Sequence, residues 1–244
     1  MSKFNRRSFV KLCASAVALI TANPNVLARS DGALRHYRRA RIVDDWDRPL
    51  VIADLKEGES YIFHYPYIST PCFLLNLGKP TAAGTTLKTK DGDSYRWQGG
   101  VGPNRSVVAF SAICAHRMTH PARSVSFINY RHKNVDFLDK DENKAERSRI
   151  IYCCSEKSVY DPTQGARVLG GPAPQPLAAI SLEYDDKNGL LYATGTYGGD
   201  MFDKFFKEFG FRLRLEHKTT DVREEVTAAR VYTLAEYCET QVLC

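Results

Sequence analysis

The sequence has 244 residues, 43% hydrophobic and 25% charged, an ordinary globular usage that excludes a disordered chain, a collagen-like chain and a polytopic membrane protein. A chain of this size buries about 70% of the surface its unfolded form exposes, so a core is available without disulfide staples. The formal charge is +6, but Lys3, Arg6, Arg7 and Lys11 fall in an opening stretch without an acid, and the remaining +2 is too little for a nucleic-acid footprint.

Residues 1–28 read as an export signal, with a basic start, an apolar run from Leu12 to Thr21 and small-residue cleavage chemistry at Val26, Leu27 and Ala28. The stretch Asn5-Arg6-Arg7-Ser8-Phe9-Val10-Lys11 is similar to the twin-arginine export motif, which implies a periplasmic protein that crosses the membrane folded. The apolar run is shorter than the ~20 residues a spanning helix needs, and Asn23-Pro24-Asn25 interrupts it. A cleaved peptide is expected, with the mature chain starting at Arg29 and lacking an integral membrane segment.

Short apolar or alternating runs at Leu50 to Ile52, Tyr61 to His64, Cys72 to Leu77, Val107 to Phe110, Arg149 to Tyr152 and Leu190 to Ala193 predict an antiparallel all-β domain. Gly84 to Gly102 reads as a surface hairpin or loop, and the charge-dominated stretch Lys133 to Arg149 as a solvated loop. After Gly198, Phe202, Phe205, Phe206 and Phe209 recur at helical spacing, Gly210 can end that helix, and Phe211 to Leu215 alternates like a strand. Residues 198–244 therefore read as a C-terminal extension, helix then strand, whose phenylalanine face packs on the domain or docks a partner.

Six cysteines remain once the signal is removed: Cys72, Cys114, Cys153, Cys154, Cys238 and Cys244. Their spacing is irregular, and adjacent Cys153 and Cys154 do not suit a bridge to each other, so a disulfide framework is not indicated. Cys72, in an apolar strand, reads as a buried small hydrophobe. Cys238 and Cys244 either pair with each other or stay free. His64, between Phe63 and Tyr65, reads as structural, and His120, ahead of Pro121, as a satisfied loop histidine. No Ser-His-Asp signature, phosphate loop or dinucleotide fingerprint is present.

The chemistry concentrates in three segments. Ile113-Cys114-Ala115-His116 places a thiolate and an imidazole two residues apart, which lets one tight loop aim both at a metal centre. Tyr152-Cys153-Cys154-Ser155-Glu156-Lys157-Ser158-Val159-Tyr160-Asp161-Pro162 offers a second thiolate followed three residues later by a carboxylate. Gly170-Gly171-Pro172-Ala173-Pro174-Gln175-Pro176-Leu177 is a stiff, proline-rich loop suited to a cover.

Together these resemble the Rieske iron-sulfur proteins, whose boxes run Cys-x-His, then Cys-x-x-His ahead of Ser-x-Tyr/Phe-Asp, then Gly-Pro-Ala-Pro. Tyr67 to Leu77 and Gly100 to Ser111 look like the arsenite-oxidase small subunit, the resemblance covering roughly Ala40 to Thr194. It implies a Rieske-type antiparallel β-sandwich with a cluster-binding subdomain over residues 40–197. It also implies a 2Fe-2S cluster with Cys114 and Cys153 on the inner iron and His116 on the outer one. Glu156 stands where the second histidine belongs. Three outcomes follow: Glu156 ligates through oxygen, Cys154 or His120 supplies the fourth ligand, or no cluster binds. Ser158 and Tyr160 match the family's hydroxyl donors to the sulfurs, and Gly171 and Pro172 belong to the loop over the cluster. Thr119 and Ser155 occupy the positions of the cysteines that tie the two loops in quinol-oxidising members, so that bridge cannot form.

The function implied is single-electron relay, not substrate conversion. The partners implied are a larger molybdopterin oxidoreductase subunit and a cytochrome or cupredoxin acceptor. Two other readings stand beside it: the Rieske subunit of a quinol-oxidising cytochrome bc complex, and a clusterless interaction subunit.

Overall fold

Strands that alternate in burial, or are buried throughout, make up most of the regular structure. In the computed structural model the described residues are 34–199 and 201–244, and the export segment read at residues 1–28 lies outside them. In chain order the strands are β1 (Arg35–Val43), β2 (Tyr61–His64), β3 (Pro71–Asn76), β4 (Thr85–Lys88), β5 (Ser94–Trp97), β6 (Val107–Ser111), β7 (Val125–Ser126), β8 (Ile128–Arg131) and β9 (Val135–Leu138). They continue as β10 (Lys144–Arg147), β11 (Ile150–Cys153), β12 (Ser158–Asp161), β13 (Arg167–Gly170), β14 (Ala179–Asp185), β15 (Leu190–Tyr197), β16 (Ala228–Arg230), β17 (Tyr232–Thr233) and β18 (Thr240–Gln241). The helices are α1 (Met201–Glu216) and the single turn α2 (Leu234–Tyr237).

The large sheet has the order β16-β1-β15-β14-β6-β3-β2-β17. The run Cys72 to Leu75 is continuously apolar because β3 is central and covered on both faces. Its period of two divides it: Phe73 and Leu75 join one core with Phe110 and Cys114, while Cys72 and Leu74 join another with Tyr61 and Phe63. Both edges are supplied by one short run. Residues 228–230 pair parallel with β1 and residues 232–233 pair antiparallel with β2, so the sheet curls back on itself through Val231.

A second sheet, β13-β12-β11-β8, carries the thiol-bearing turn after β11. The Gly84 to Gly102 interval forms the hairpin β4–β5, as the sequence indicates. The stretch from Lys133 to Arg149, expected as a loop, instead forms the hairpin β9–β10. Charge at the outward positions masks the buried alternation of Val135 and Phe137. Leu50 to Ile52 is not a strand. It makes one bridge, Val51 to Leu190, and then a tight turn over Ile52–Asp54, with Val51 48% exposed.

The helix after Gly198 also differs from expectation. It runs through Gly210 to Glu216, and Phe211 to Leu215 is helical instead of extended. Phe202, Phe205, Phe206 and Leu213 fall on one buried stripe, whereas Phe211 and Leu215 are 70% and 65% exposed. The apparent alternation was helix periodicity sampled over five residues, and a single interior Gly costs only about 1 kcal/mol against Ala.

Candidate metal centre

The first loop leaves β6, and its backbone closes on itself: Cys114 N–H donates to the Thr119 carbonyl at 2.8 Å and Met118 N–H to the Cys114 carbonyl at 2.9 Å. This tight turn, with Met118 at a φ of 56°, holds Cys114 inside and turns His116 toward the second loop. Helix α1 braces it from behind. Ile113 and Met118 pack among Met201, Phe202, Phe205 and Phe206.

The second loop is the turn between β11 and β12, where Cys153 pairs with Ser158 across the hairpin. Lys157 closes the turn at a φ of 57°. The third loop lies on top of it. Gly171 sits at a φ of 76°, and a Cβ there would collide with the Lys157 carbonyl oxygen, so the backbones meet only because Gly lacks a side chain. Pro172 follows directly, and Gln175 further along is anchored by the Lys90 N–H at 2.9 Å.

These loops bring Cys114 and Cys153 together, both free and fully buried. The Cys153 thiol, with further help from the Tyr160 hydroxyl, the His116 N–H and the neighbouring Ser158, holds the Cys114 thiol below its usual value against the effect of burial. Cys153 is pushed up, first by Cys114 and then by burial, with the Glu156 and Ser155 N–H groups acting in the opposite sense. Tyr160 is buried, with its oxygen 3.2 Å from Cys114 Sγ and accepting the Ala115 N–H at 3.1 Å. With Cys114 as a thiolate, which can only accept, the hydroxyl is the donor of this pair.

At the outer end, His116 Nδ1 lies 3.9 Å from Glu156 Oε2, too long for a hydrogen bond. Arg117 Nε stands 3.6 Å from the other carboxylate oxygen, an ion-pair partner that sequence reading did not single out. His116 Nδ1 and Ser158 Oγ are both buried without a hydrogen-bond partner. Buried polar atoms are almost always satisfied, and these two unpartnered atoms lie on the same loops as the thiols and the carboxylate, where a bound group would supply partners.

Among the described residues, no three His, Cys, Asp or Glu side chains converge as a site for a single metal ion requires. A dinuclear cluster asks for something else, two protein ligands on each iron. Cys114 with Cys153 and His116 with Glu156 stand as two such pairs, and this donor set fits a two-iron centre with three customary ligands and one carboxylate.

Of the other two candidates for the fourth ligand, Cys154 is engaged in a disulfide, whereas His120 keeps Nε2 buried without a partner. Cys154 is bridged to Cys244, with Cα atoms 5.7 Å apart, which also means that Cys244 does not pair with Cys238, a buried free thiol. His120 Nδ1 donates to the Met118 carbonyl, 2.9 Å away, and its ring is held edge-on between Phe205 and Phe209 at 4.9 Å from each. Burial, the largest influence, lowers its pKa. Cys72 is buried in β3 and its thiol donates to the Tyr65 carbonyl, in keeping with a structural role. No sequence signal within reach of either loop announces the bridge from Cys154, because its partner is 90 residues away.

No family model matches the chain. It is similar to the iodate reductase subunit IdrB of Denitromonas iodatirespirans, 27% identical over 194 residues that make up 80% of this chain and 82% of that one. Among solved structures it is similar to the soluble domain of the Rieske protein II (soxF) from Sulfolobus acidocaldarius. That match is 26% identical, covers 66% of this chain and 78% of that chain, and has a TM-score of 0.43.

Proposed function

We infer that this chain, a protein of the Rieske type, is an exported electron-transfer subunit that holds a 2Fe-2S cluster between its first two loops and serves a larger oxidoreductase. The observation that carries the inference is the pairing itself: two buried, unbridged thiols at one end and an imidazole facing a carboxylate at the other. Such a cluster takes up and releases one electron at a time.

Cys114 and Cys153 would hold its inner iron and His116 and Glu156 its outer iron. The residues also divide the control of potential. A carboxylate at Glu156 adds negative charge where a neutral imidazole would add none, which favours the oxidised state. The Tyr160 hydroxyl at Cys114 and the Ser158 hydroxyl beside it oppose this by stabilising added negative charge on sulfur. The Gly171 backbone lies against the turn of the second loop, and Pro172 stiffens the cover that follows it.

The partner reading has two supports. The relative from Denitromonas is named as a subunit of an iodate reductase, and the segments Tyr67 to Leu77 and Gly100 to Ser111 resemble the small subunit of arsenite oxidase. Both favour a larger, molybdopterin-type catalytic subunit, with a soluble cytochrome or cupredoxin beyond it. The basic start and Asn5 to Lys11 stretch support twin-arginine export to the periplasm. Thr119 and Ser155, in place of a loop-tying cysteine pair, weigh against membership in a quinol-oxidising complex.

The test is iron and sulfide analysis with electron paramagnetic resonance of the dithionite-reduced full chain, made through its own export route, beside Glu156→His. About two irons and two sulfides per chain and a rise in midpoint potential in the variant support the assignment. Iron-free protein overturns the cluster, and an unchanged spectrum and potential in Glu156→His overturn Glu156 as a ligand.

A further inference from the structure

Residues Leu234 to Cys244 run along the exit of the first loop and end on the second. Glu239 N–H donates to the Arg123 carbonyl at 2.9 Å, β18 lies parallel to β7, and Val242 N–H donates to the Ser126 carbonyl at 2.8 Å. The Asn129 side chain then donates to the Val242 carbonyl at 2.8 Å and Arg131 to that of Cys244 at 3.0 Å. The segment finishes in the bridge to Cys154, the residue next to Cys153 and two before Glu156. One end of the same extension, α1, packs behind the first loop, and the other is covalently joined to the second.

The outer half of the second loop has little else to hold it. Cys154 N–H donates to the Phe127 carbonyl at 2.7 Å; beyond that stand the Ser155 and Glu156 N–H groups at Cys153, Lys157 5.9 Å over the Tyr152 ring, the Glu156–Arg117 ion pair at 3.6 Å and the backbone of Gly171. The arginine of that pair is mostly exposed, and such pairs hold little. β18 is itself two exposed residues, too short to stay paired unaided.

We propose that the Cys154–Cys244 bridge is the positioning element of the second loop, holding Cys153 and Glu156 in register with Cys114 and His116. It replaces the direct crosslink between the loops that Thr119 and Ser155 cannot form. The role toward the cluster rests on the reading of the site given above, whereas the ordering of the loop does not.

Amide hydrogen exchange on the full chain, wild type against Cys244→Ser, separates the two. The expected result is exchange at least ten-fold faster across residues 153–157, with residues 114–119 and 201–216 unchanged, and a shifted midpoint potential in iron-loaded protein. Unchanged exchange at 153–157, an equal acceleration over the whole chain, or faster exchange with an identical potential each overturns the proposal. If Cys244→Ser does not fold, oxidised wild type is compared with the same protein treated with a thiol reductant at a concentration that leaves its β circular dichroism intact, and the same criteria apply. Wild type that binds no iron overturns the cluster assignment but leaves the exchange comparison to decide the ordering role.

Discussion

His64 supplies a quantitative test of how the C-terminal extension joins the domain. It lies at the end of β2 with its ring edge-on to His217 at 5.3 Å and its Nε2 3.5 Å from the Tyr237 hydroxyl. Burial first, then the charges of His217 and Arg123, push its pKa down to about 3. His217, just past α1, is lowered by burial and by Arg123, with Glu216 opposing. A histidine whose pKa is depressed by folding gives a stability that is intact above its unfolded value, near 6.5, and lost as pH falls toward the folded value. At pH 5 an unfolded histidine is about 30:1 protonated while folded His64 remains neutral, a linkage cost of up to about 2 kcal/mol. Because part of the ring meets solvent, this is an upper figure. Urea unfolding of wild type and His64→Phe at pH 7 and pH 5, at equal iron content, is the assay. The phenylalanine keeps the ring contacts but cannot bind a proton, so the variant loses less stability on acidification by about 1 to 2 kcal/mol. Equal losses in the two proteins refute the argument.

Three other outcomes follow from the same packing. Phe205→Ala, at a fully buried position against His120, costs about 3 to 5 kcal/mol in chemical denaturation, while Phe211→Ala on the open face of the same helix stays within about 0.5 kcal/mol. Comparable costs would mean that α1 does not continue through Gly210. Gly171→Ala forces a Cβ onto the Lys157 carbonyl at a φ of 76°, so the variant is less stable by at least about 1 kcal/mol, melts lower and loses iron faster to a chelator, and an unchanged Tm contradicts that contact. Tyr160→Phe leaves the buried Ala115 N–H without its acceptor, at about 1 to 3 kcal/mol, and lowers the midpoint potential by removing the hydroxyl from Cys114; a potential equal to wild type would show that this bond does not tune the centre.

What could be read in advance was whatever is encoded locally. Cys114 and His116 are two residues apart, and Cys153 and Glu156 three, so each pair of candidate ligands on one loop lies within one turn and leaves a spacing to recognise. Strands such as β3 and β6 were legible because burial on both faces allows no polar position to interrupt the run. The hairpin β9–β10 was not, since a strand with one wet, charged face resembles a loop unless Val135 and Phe137 are weighed above their neighbours. Gly210 misled in the other direction: it lies buried within the helix, where a small residue is no obstacle, and nothing in five residues distinguishes its exposed Phe211 and Leu215 from one face of a strand. The bridge from Cys154 to Cys244 and the packing of α1 behind Met118 join residues about 80 to 90 positions apart, and no periodicity spans such a distance.

The six residues 228–233 have a consequence for quality control. An unpaired strand at a sheet margin is a template for association with another chain, and most folds must blunt two such margins separately. Here a single run covers both β1 and β2. A product shortened before Ala228 would expose both templates together, so incomplete chains should self-associate and be cleared instead of accumulating as soluble, half-working copies.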